Sequence, residues 1–337
     1  MADDTHTDGP LSAADRAAWF ADVNSEPGSP KKDPILSVDN VSRSFGGLKA
    51  VDVGHLEFQR GAITGLIGPN GAGKTTLFNL LTGFDRPDTG TWTMDGTNLA
   101  KLSPYKVARH GVVRTFQLTK ALAKMSVLDN VKLGATNQNG ERMLSAILPF
   151  IWRSQEAAIT TRAHEMLTRF KLEAKADDLA GSLSGGQRKL LEMARALMTE
   201  PKIVMLDEPM AGVNPALTQS LLEHVKSLRD EGMTVIFVEH DMDVIRDISD
   251  WVVVMAQGTV IAESPPDTLA DNQVVVDAYL GSHHDQALEF DQDGNPVGET
   301  AVLAERIEQA VAEAIDAGGD LSAPIDRADT IEGRHRA

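Results

Sequence analysis

The chain has 337 residues, 42% of them hydrophobic, and its formal net charge at pH 7 is −17. This length allows one large domain or two moderate ones with a full core, and the acidic balance disfavours a nucleic-acid partner. The chain has no cysteine, which excludes disulfides and thiolate sites and fits a reducing compartment.

No apolar run of the sequence approaches the roughly 20 residues of a membrane-spanning helix. The start MADDTHTDGP is acidic and polar, unlike a secretory signal. We therefore expect a cytoplasmic protein that meets a membrane only through partners. Acidic residues cluster in residues 1–34 and 283–337, a composition typical of solvated extensions.

The first extension contains one possible helix before the linker NSEPGSPKKDP. Ser12 is its predicted cap, and Trp19, Phe20 and Val23 share an apolar face. Residues 35–60 then alternate apolar and polar side chains, which predicts antiparallel strands.

Short apolar runs follow along the chain. AITGLIG is predicted to be a short buried strand. PKIVMLDE and TVIFVEH are bounded by helical patterns, which indicates central strands of a parallel sheet. TWTMDGTNL and WVVVMAQGTVIAES favour strand pairs. Residues 118–182 are mostly helical in pattern, and residues 301–317 form an amphipathic helix candidate.

The segment GPNGAGKT, from Gly68 to Thr75, matches the phosphate-binding loop G-x-x-x-x-G-K-[ST] in full. Glycine lets the backbone turn tightly and bring successive N–H groups to a phosphate as an anion nest. Lys74 supplies a cation for the β and γ phosphates, and Thr75 supplies a hydroxyl for Mg²⁺. The predicted nucleotide contacts are Gly68, Pro69, Asn70, Gly71, Ala72, Gly73, Lys74, Thr75 and Thr76.

The apolar run IVML ends in two carboxylates, Asp207 and Glu208. At the end of a strand, Asp207 can hold Mg²⁺ through water, and Glu208 can orient or deprotonate an attacking water. An acidic strand end without chemistry is the alternative, which the phosphate loop elsewhere in the chain disfavours.

The segment LSGGQRKLLEMARAL places Ser184, Gly185 and Gly186 at the start of a strongly helical pattern. Such a helix start binds anions, yet the chain already has a phosphate loop. A second cradle makes sense if it serves the nucleotide of another subunit. Here the chain resembles the ABC ATPase family, in which two nucleotide-binding domains face each other head to tail.

The resemblance implies further site residues. Phe45 in SRSFGG matches the aromatic side chain that stacks on adenine, and Gln117 in RTFQL matches the glutamine that touches Mg²⁺ and the attacking water. His240 in VEHDM matches the histidine near the γ-phosphate, and Val51 is expected at the nucleotide. The contacts expected to the partner's ATP are Ser184, Gly185, Gly186, Gln187 and Asn214, the last standing where many members have aspartate.

The resemblance covers about residues 35–282 and implies an α/β fold. Its expected core is a P-loop NTPase (RecA-like) domain of the ABC ATPase type, with an antiparallel β subdomain and an α-helical subdomain at about 118–198. Residues 1–34 and 283–337 are then extensions, and the pattern leaves open whether the second regulates, dimerises or solubilises the chain.

FGGLKAV, GVVRTFQ, LDEPMAGVNP and DAYLG together resemble the ATP-binding subunit of branched-chain amino-acid importers. The resemblance implies ATP and Mg²⁺ as cofactors and a second ABC ATPase, identical or paralogous, as partner. It also implies two integral membrane permease subunits, indirectly an extracytoplasmic substrate-binding protein, and a place on the inner face of the cell membrane.

Three other functions stay open at this point: a urea or short-amide importer subunit, an exporter ATPase, and a soluble ABC ATPase acting on DNA or ribosomes. The soluble class usually carries two nucleotide domains or a long coiled coil. This chain has one set of motifs and a net charge of −17, which disfavours that class.

Overall fold

The computed structural model of the protein describes residues 13–115, 121–136, 149–269 and 272–283. Contacts divide the chain into the units Met1–Leu280 and Gly281–Ala337. Apart from the end of one helix, the description concerns the first unit. The helix predicted at 301–317 lies outside the described residues.

The secondary structure alternates between strands and helices along the chain. The described helices are α1 (Ala13–Ala21), α2 (Lys74–Leu81), α3 (Pro104–Arg109), α4 (Val127–Lys132), α5 (Pro149–Arg169), α6 (Gly185–Leu197), α7 (Pro215–Asp230), α8 (Met242–Ile248) and α9 (Gln273–His283). The described strands are β1 (Pro34–Phe45), β2 (Leu48–Gln59), β3 (Ile63–Ile67), β4 (Thr89–Met94), β5 (Thr97–Asn98), β6 (Val112–Arg114), β7 (Ile203–Asp207), β8 (Thr234–Val238), β9 (Trp251–Ala256) and β10 (Thr259–Ser264).

The strands form two sheets. The first is antiparallel, in the order β2-β1-β4-β5. The second has the order β10-β9-β3-β8-β7-β6, in which β10 is antiparallel to β9 and the other neighbours are parallel. The predicted α/β fold with an antiparallel β part is confirmed, and so are the parallel strands predicted for PKIVMLDE and TVIFVEH.

Alternate side chains of the parallel strands enter two different cores. On β7, Val204 and Leu206 lie in a cluster with α4 to α8, whereas Ile203 and Met205 lie in a cluster with β1, β2, β4 and α2. Because both faces are buried, these strands are apolar throughout rather than alternating. Their carboxyl ends are therefore where loops can present polar side chains.

Residues 13–34 are packed against the second sheet, although their composition predicted a solvated extension. Phe20 of α1 stacks on Trp251 of β9 with ring centroids 5.0 Å apart. The ammonium group of Lys31 lies 2.8 Å from a carboxylate oxygen of Glu263, and these side chains are 1% and 0% exposed. This N-terminal segment (residues 13–34) is thus part of the folded core.

Three described elements were absent from the sequence-based prediction, namely α3, β6 and α9. The helix α3 and the strand β6 separate the antiparallel sheet from the helical region, and β6 forms the edge of the parallel sheet beside β7. With three residues, β6 is too short for a periodic pattern to reveal it. No helix among the described residues is long and apolar enough to cross a membrane.

Candidate functional site

The loop between β3 and α2 has the tight geometry that its glycines allow. Gly68 has a φ of 146°, and a Cβ there would lie 2.0 Å from the carbonyl oxygen of Met255. Gly73 has a φ of 97°, and its Cβ would lie 2.4 Å from the carbonyl oxygen of Ala50. Both positions therefore require glycine, since a side chain would collide with backbone.

Lys74 is folded back onto this loop. Its side-chain nitrogen donates to the carbonyl oxygens of Gly68 at 2.5 Å and Pro69 at 2.9 Å. Burial lowers the pKa of Lys74, and the charges of Glu208 and Asp207 raise it in part. The cation predicted to bind phosphate is held inside its own loop in this structure.

The remaining predicted loop residues differ in accessibility. Asn70, Gly71 and Thr75 are exposed, Pro69, Gly73 and Thr76 are half-buried, and Ala72 is buried. The exposed face of the loop thus carries backbone amides and the Thr75 hydroxyl, the groups predicted for phosphate and Mg²⁺.

Asp207 ends β7, and its carboxylate is buried against Arg114 of the neighbouring strand β6. Both side chains are 6% exposed. The guanidinium also donates to the side-chain oxygen of Asn79 on α2 at 2.6 Å. Arg114 therefore joins the helix after the phosphate loop to the acidic end of β7.

Glu208 turns away from the strand in a left-handed backbone conformation, with a φ of 47°. Such a conformation costs a residue other than glycine roughly 1–2 kcal/mol. Its carboxylate oxygen lies 2.9 Å from the Nε2 of His240, which follows β8. Two predicted site residues 32 positions apart are thus brought into contact.

The segment LSGGQRKLLEMARAL, which is predicted to serve the nucleotide of another subunit, contains the start of α6. The hydroxyl of Ser184 accepts from the amide of Gln187 at 3.3 Å, and the Gln187 side chain accepts from the Ser184 amide at 3.1 Å. This capping box fixes the helix start. Gly185 is exposed with open space around it, while Gly186 is buried beside Leu217.

Comparisons with known proteins agree with this geometry. A family model described as ABC transporter matches residues 51–211. The high-affinity branched-chain amino acid transport ATP-binding protein BraF of Pseudomonas aeruginosa is 41% identical over 251 residues, which are 74% of this chain and 98% of BraF. This chain belongs to the ABC transporter family.

Solved ABC cassettes share its fold. The ADP conformation of MJ1267, an ATP-binding cassette of an ABC transporter, is 36% identical with a TM-score of 0.65, covering 74% of this chain and 99% of MJ1267. The ATP-binding cassette MJ0796, in a dimeric post-hydrolysis structure bound to ADP and Pi, is 25% identical with a TM-score of 0.56. That match covers 68% of this chain and 98% of MJ0796.

Three further predicted site residues are Phe45, Asn214 and Gln117. Phe45, at the end of β1, is 49% exposed, and the guanidinium of Arg43 lies 4.6 Å from its ring centroid. Asn214 caps α7, its side-chain oxygen accepting from the Leu217 amide at 2.9 Å. Gln117 lies outside the described residues.

Val51 is placed differently from the sequence-based expectation. Its side chain is 0% exposed and packs in the core shared by the two sheets. A valine in β2 that faces inward presents no side-chain surface to a ligand, because successive strand residues point to opposite faces. We leave Val51 out of the proposed nucleotide contacts.

The structure adds two residues of the cassette that sequence reasoning missed. Lys189 on α6 donates to the carbonyl oxygens of Glu208 at 3.2 Å, Pro209 at 2.8 Å and Ala211 at 2.5 Å. It ties α6 to the loop that contains and follows Glu208. A lysine in a helical pattern gives no sign of such partners.

Tyr279 on α9 is the second missed residue. Burial raises the pKa of the Tyr279 hydroxyl, and a hydrogen bond from the backbone of Gly68 opposes that rise. Helix α9 thereby contacts the first glycine of the phosphate loop. Its segment DAYLG entered the sequence analysis as a family motif, without a role for the tyrosine.

Proposed function

We propose that this chain is the ATP-hydrolysing subunit of a membrane importer, and that the importer carries branched-chain amino acids. The observation that carries this proposal is the phosphate loop after β3 together with Asp207 and Glu208 after β7. Loops after parallel strands meet at one edge of a sheet. The similarity to BraF supports the cargo.

In this proposal the backbone amides of the loop and the start of α2 bind the phosphates of ATP. Lys74 exchanges its two carbonyl partners for phosphate oxygens, which are stronger acceptors for an ammonium group. Thr76 completes the phosphate contacts, and the half-exposed ring of Phe45 stacks on adenine.

The donor set at the site fits Mg²⁺. Thr75 offers a hydroxyl, Asp207 a carboxylate and Gln117 a side-chain amide oxygen, and Mg²⁺ in nucleotide sites is held by few protein oxygens besides phosphate and water. When bound, Mg²⁺ neutralises charge on the β and γ phosphates.

Hydrolysis is assigned to Glu208, which orients and deprotonates the attacking water. His240 contacts the Glu208 carboxylate at 2.9 Å and holds it near the γ-phosphate. The left-handed conformation of Glu208 supports this role, because strained backbone is retained where a side chain must take a set direction.

We propose that a second ABC ATPase contributes the remaining contacts to the nucleotide-binding site of each subunit. The start of α6 is a suitable site for an anion, because Ser184 and Gly185 are exposed there. The residues proposed to contact the partner's nucleotide at this helix start are Ser184, Gly185, Gly186 and Gln187. Asn214 lies at another helix start. The dimeric structure of MJ0796 supports this arrangement by analogy.

Transport is proposed to occur through two permease subunits, with a substrate-binding protein outside the membrane selecting the amino acid. The chain would lie on the inner face of the membrane. Closure of the ATPase pair on ATP, and its reopening after hydrolysis, would change the equilibrium between the permease conformations.

Purification of the tagged chain from gently solubilised native membranes tests this proposal. We expect two multi-span proteins and a second ABC ATPase, identified by mass spectrometry. Uptake of labelled leucine by vesicles containing the recovered complex should depend on ATP. Recovery of soluble partners alone would contradict transport, and uptake of urea in place of leucine would contradict the cargo.

A further inference from the structure

Arg114 occupies a central position in the proposed nucleotide site, although no sequence motif marked it. It lies on β6, where it is paired in register with Met205 of β7. Its guanidinium contacts Asp207 at the end of β7 and Asn79 on α2, and lies 5.5 Å from the ring centroid of Phe78. One side chain therefore connects β6, β7 and α2, three elements of the proposed nucleotide site.

Each charged group of the site has an internal partner in this structure. Lys74 donates to the carbonyls of Gly68 and Pro69, Glu208 contacts His240, and Asp207 contacts Arg114. The groups proposed to bind nucleotide are thus satisfied by the chain itself, and a ligand must replace or share these partners.

The pairing of Asp207 with Arg114 is buried on both sides. Its carboxylate is 6% exposed, and a buried carboxylate without a cation is strongly destabilising. Arginine keeps its charge at any ordinary pH, so Arg114 neutralises Asp207 permanently. The same carboxylate is the one proposed to hold Mg²⁺.

The Arg114 guanidinium and a divalent cation would compete for the same carboxylate, that of Asp207. Arg114 contacts the Oδ2 atom of Asp207, which reduces the negative potential available to a second cation. Like charges within a few ångströms of each other repel strongly where both are buried away from water. A cation that binds Asp207 must therefore work against the charge of Arg114.

We propose that Arg114 is a positioning residue that serves as the internal counter-ion of Asp207 in the nucleotide-free protein and lowers the affinity of the site for Mg²⁺. The inference rests on the proposed function, because it takes Asp207 as the carboxylate that holds Mg²⁺. The chain thereby keeps the Asp207 carboxylate oriented and paired with a cation until nucleotide and Mg²⁺ arrive together.

Calorimetry of ADP binding with Mg²⁺ and with EDTA tests this inference. The ratio of the two affinities measures how much Mg²⁺ strengthens nucleotide binding. In Arg114→Met we expect this ratio to rise about tenfold, because the carboxylate no longer has a competing cation. An unchanged or smaller ratio would overturn the inference.

Two further variants make the experiment specific. Arg229→Met removes an arginine from another ion pair, with Asp250, in which both side chains are 14% exposed. Asp250 lies before β9 and accepts a hydrogen bond from the amide of Ile63 at the start of β3. This pair is therefore at the amino ends of the parallel strands, whereas Asp207 is at a carboxyl end. Arg229→Met should lower the melting temperature without changing the ratio.

Arg114→Gln tests the inference if Arg114→Met does not fold. It keeps a side chain that can still donate a hydrogen bond to the Asp207 carboxylate but carries no charge. The ratio should again rise about tenfold, and no rise would overturn the inference. If the unchanged protein binds ADP equally with and without Mg²⁺, it is the proposed function that fails.

Discussion

At the scale of single residues, the site depends on side chains that local backbone geometry directs. Glu208 follows the buried strand β7, yet its left-handed conformation takes its carboxylate to His240 on another loop. Phe45 ends β1 with about half its surface exposed and one cation, Arg43, beside its ring. Each arrangement leads to a measurable expectation.

Replacing the carboxylate of Glu208 with an amide should separate binding from hydrolysis. Glu208→Gln keeps the shape but removes the base, so kcat should fall at least about 100-fold while ATP affinity changes little. Steady-state ATPase rates and calorimetry measure the two quantities. Glu231→Gln, at a surface acid paired with Arg169, is the control and should change neither. Full turnover in Glu208→Gln would contradict the assigned role.

Removing the ring of Phe45 should weaken ATP binding by about 1–3 kcal/mol through lost stacking. Inorganic triphosphate, which has no base, should bind Phe45→Ala and the unchanged protein equally well. Tyr105→Ala is a matched control, since Tyr105 is also exposed and has Arg109 over its ring at 4.9 Å. Equal losses for ATP and triphosphate would show a general effect on the fold instead.

At the scale of elements, helix α6 is joined to the loop that follows β7, where the proposed catalytic residue Glu208 lies. Its first turn is the proposed cradle for the partner's nucleotide, and Lys189, one turn later, donates to three carbonyls in the loop after β7. The helix start and the loop of Glu208 are therefore mechanically connected. A displacement of the α6 start should therefore displace the loop of Glu208 as well.

Lys189→Met should disturb hydrolysis more than binding. Without the ammonium group the loop loses three hydrogen bonds, Glu208 is held less accurately, and kcat should fall about tenfold or more. ATP affinity should change little, because Lys189 lies outside the phosphate loop. Lys226→Met, which removes a surface ion pair with Asp247 on α8, should leave kcat unchanged. Parallel losses of affinity and kcat would argue against the connection.

At the scale of the whole molecule, the N-terminal segment is a structural part of the cassette. Its Lys31 and the partner Glu263 are almost completely buried, and Glu263 also accepts from the amide of Gly28 and the indole nitrogen of Trp251. The chain thus closes over the edge of the parallel sheet. The stability of the ATPase fold should depend on this closure.

Lys31→Met should therefore lower the free energy of unfolding by about 3–5 kcal/mol, since it leaves a buried carboxylate without its cation. Urea denaturation followed by circular dichroism measures the change. Lys49→Met removes an exposed ion pair with Asp52 and should cost less than about 1 kcal/mol. Similar values for the two variants would mean that the N-terminal segment is only loosely attached.

The sequence predicted best what depends on neighbouring residues. The phosphate loop is specified by the spacing of Gly68, Gly73 and Lys74, and the strands β3, β7 and β8 each by an apolar run of their own. Arg114 was missed because its partner Asp207 is 93 positions away and no short pattern joins them. The docking of residues 13–34 was missed for the same reason, since Lys31 and Glu263 are 232 positions apart.

The buried pair of Lys31 and Glu263 also restricts how this protein can evolve. A carboxylate at 263 is tolerated only while a cation from the beginning of the chain reaches it. A descendant that shortened its amino terminus would have to replace Glu263 first, or in the same step, to remain folded. The N-terminal segment and Glu263 should therefore be retained or lost together, although the segment precedes the ATPase motifs and Glu263 follows them.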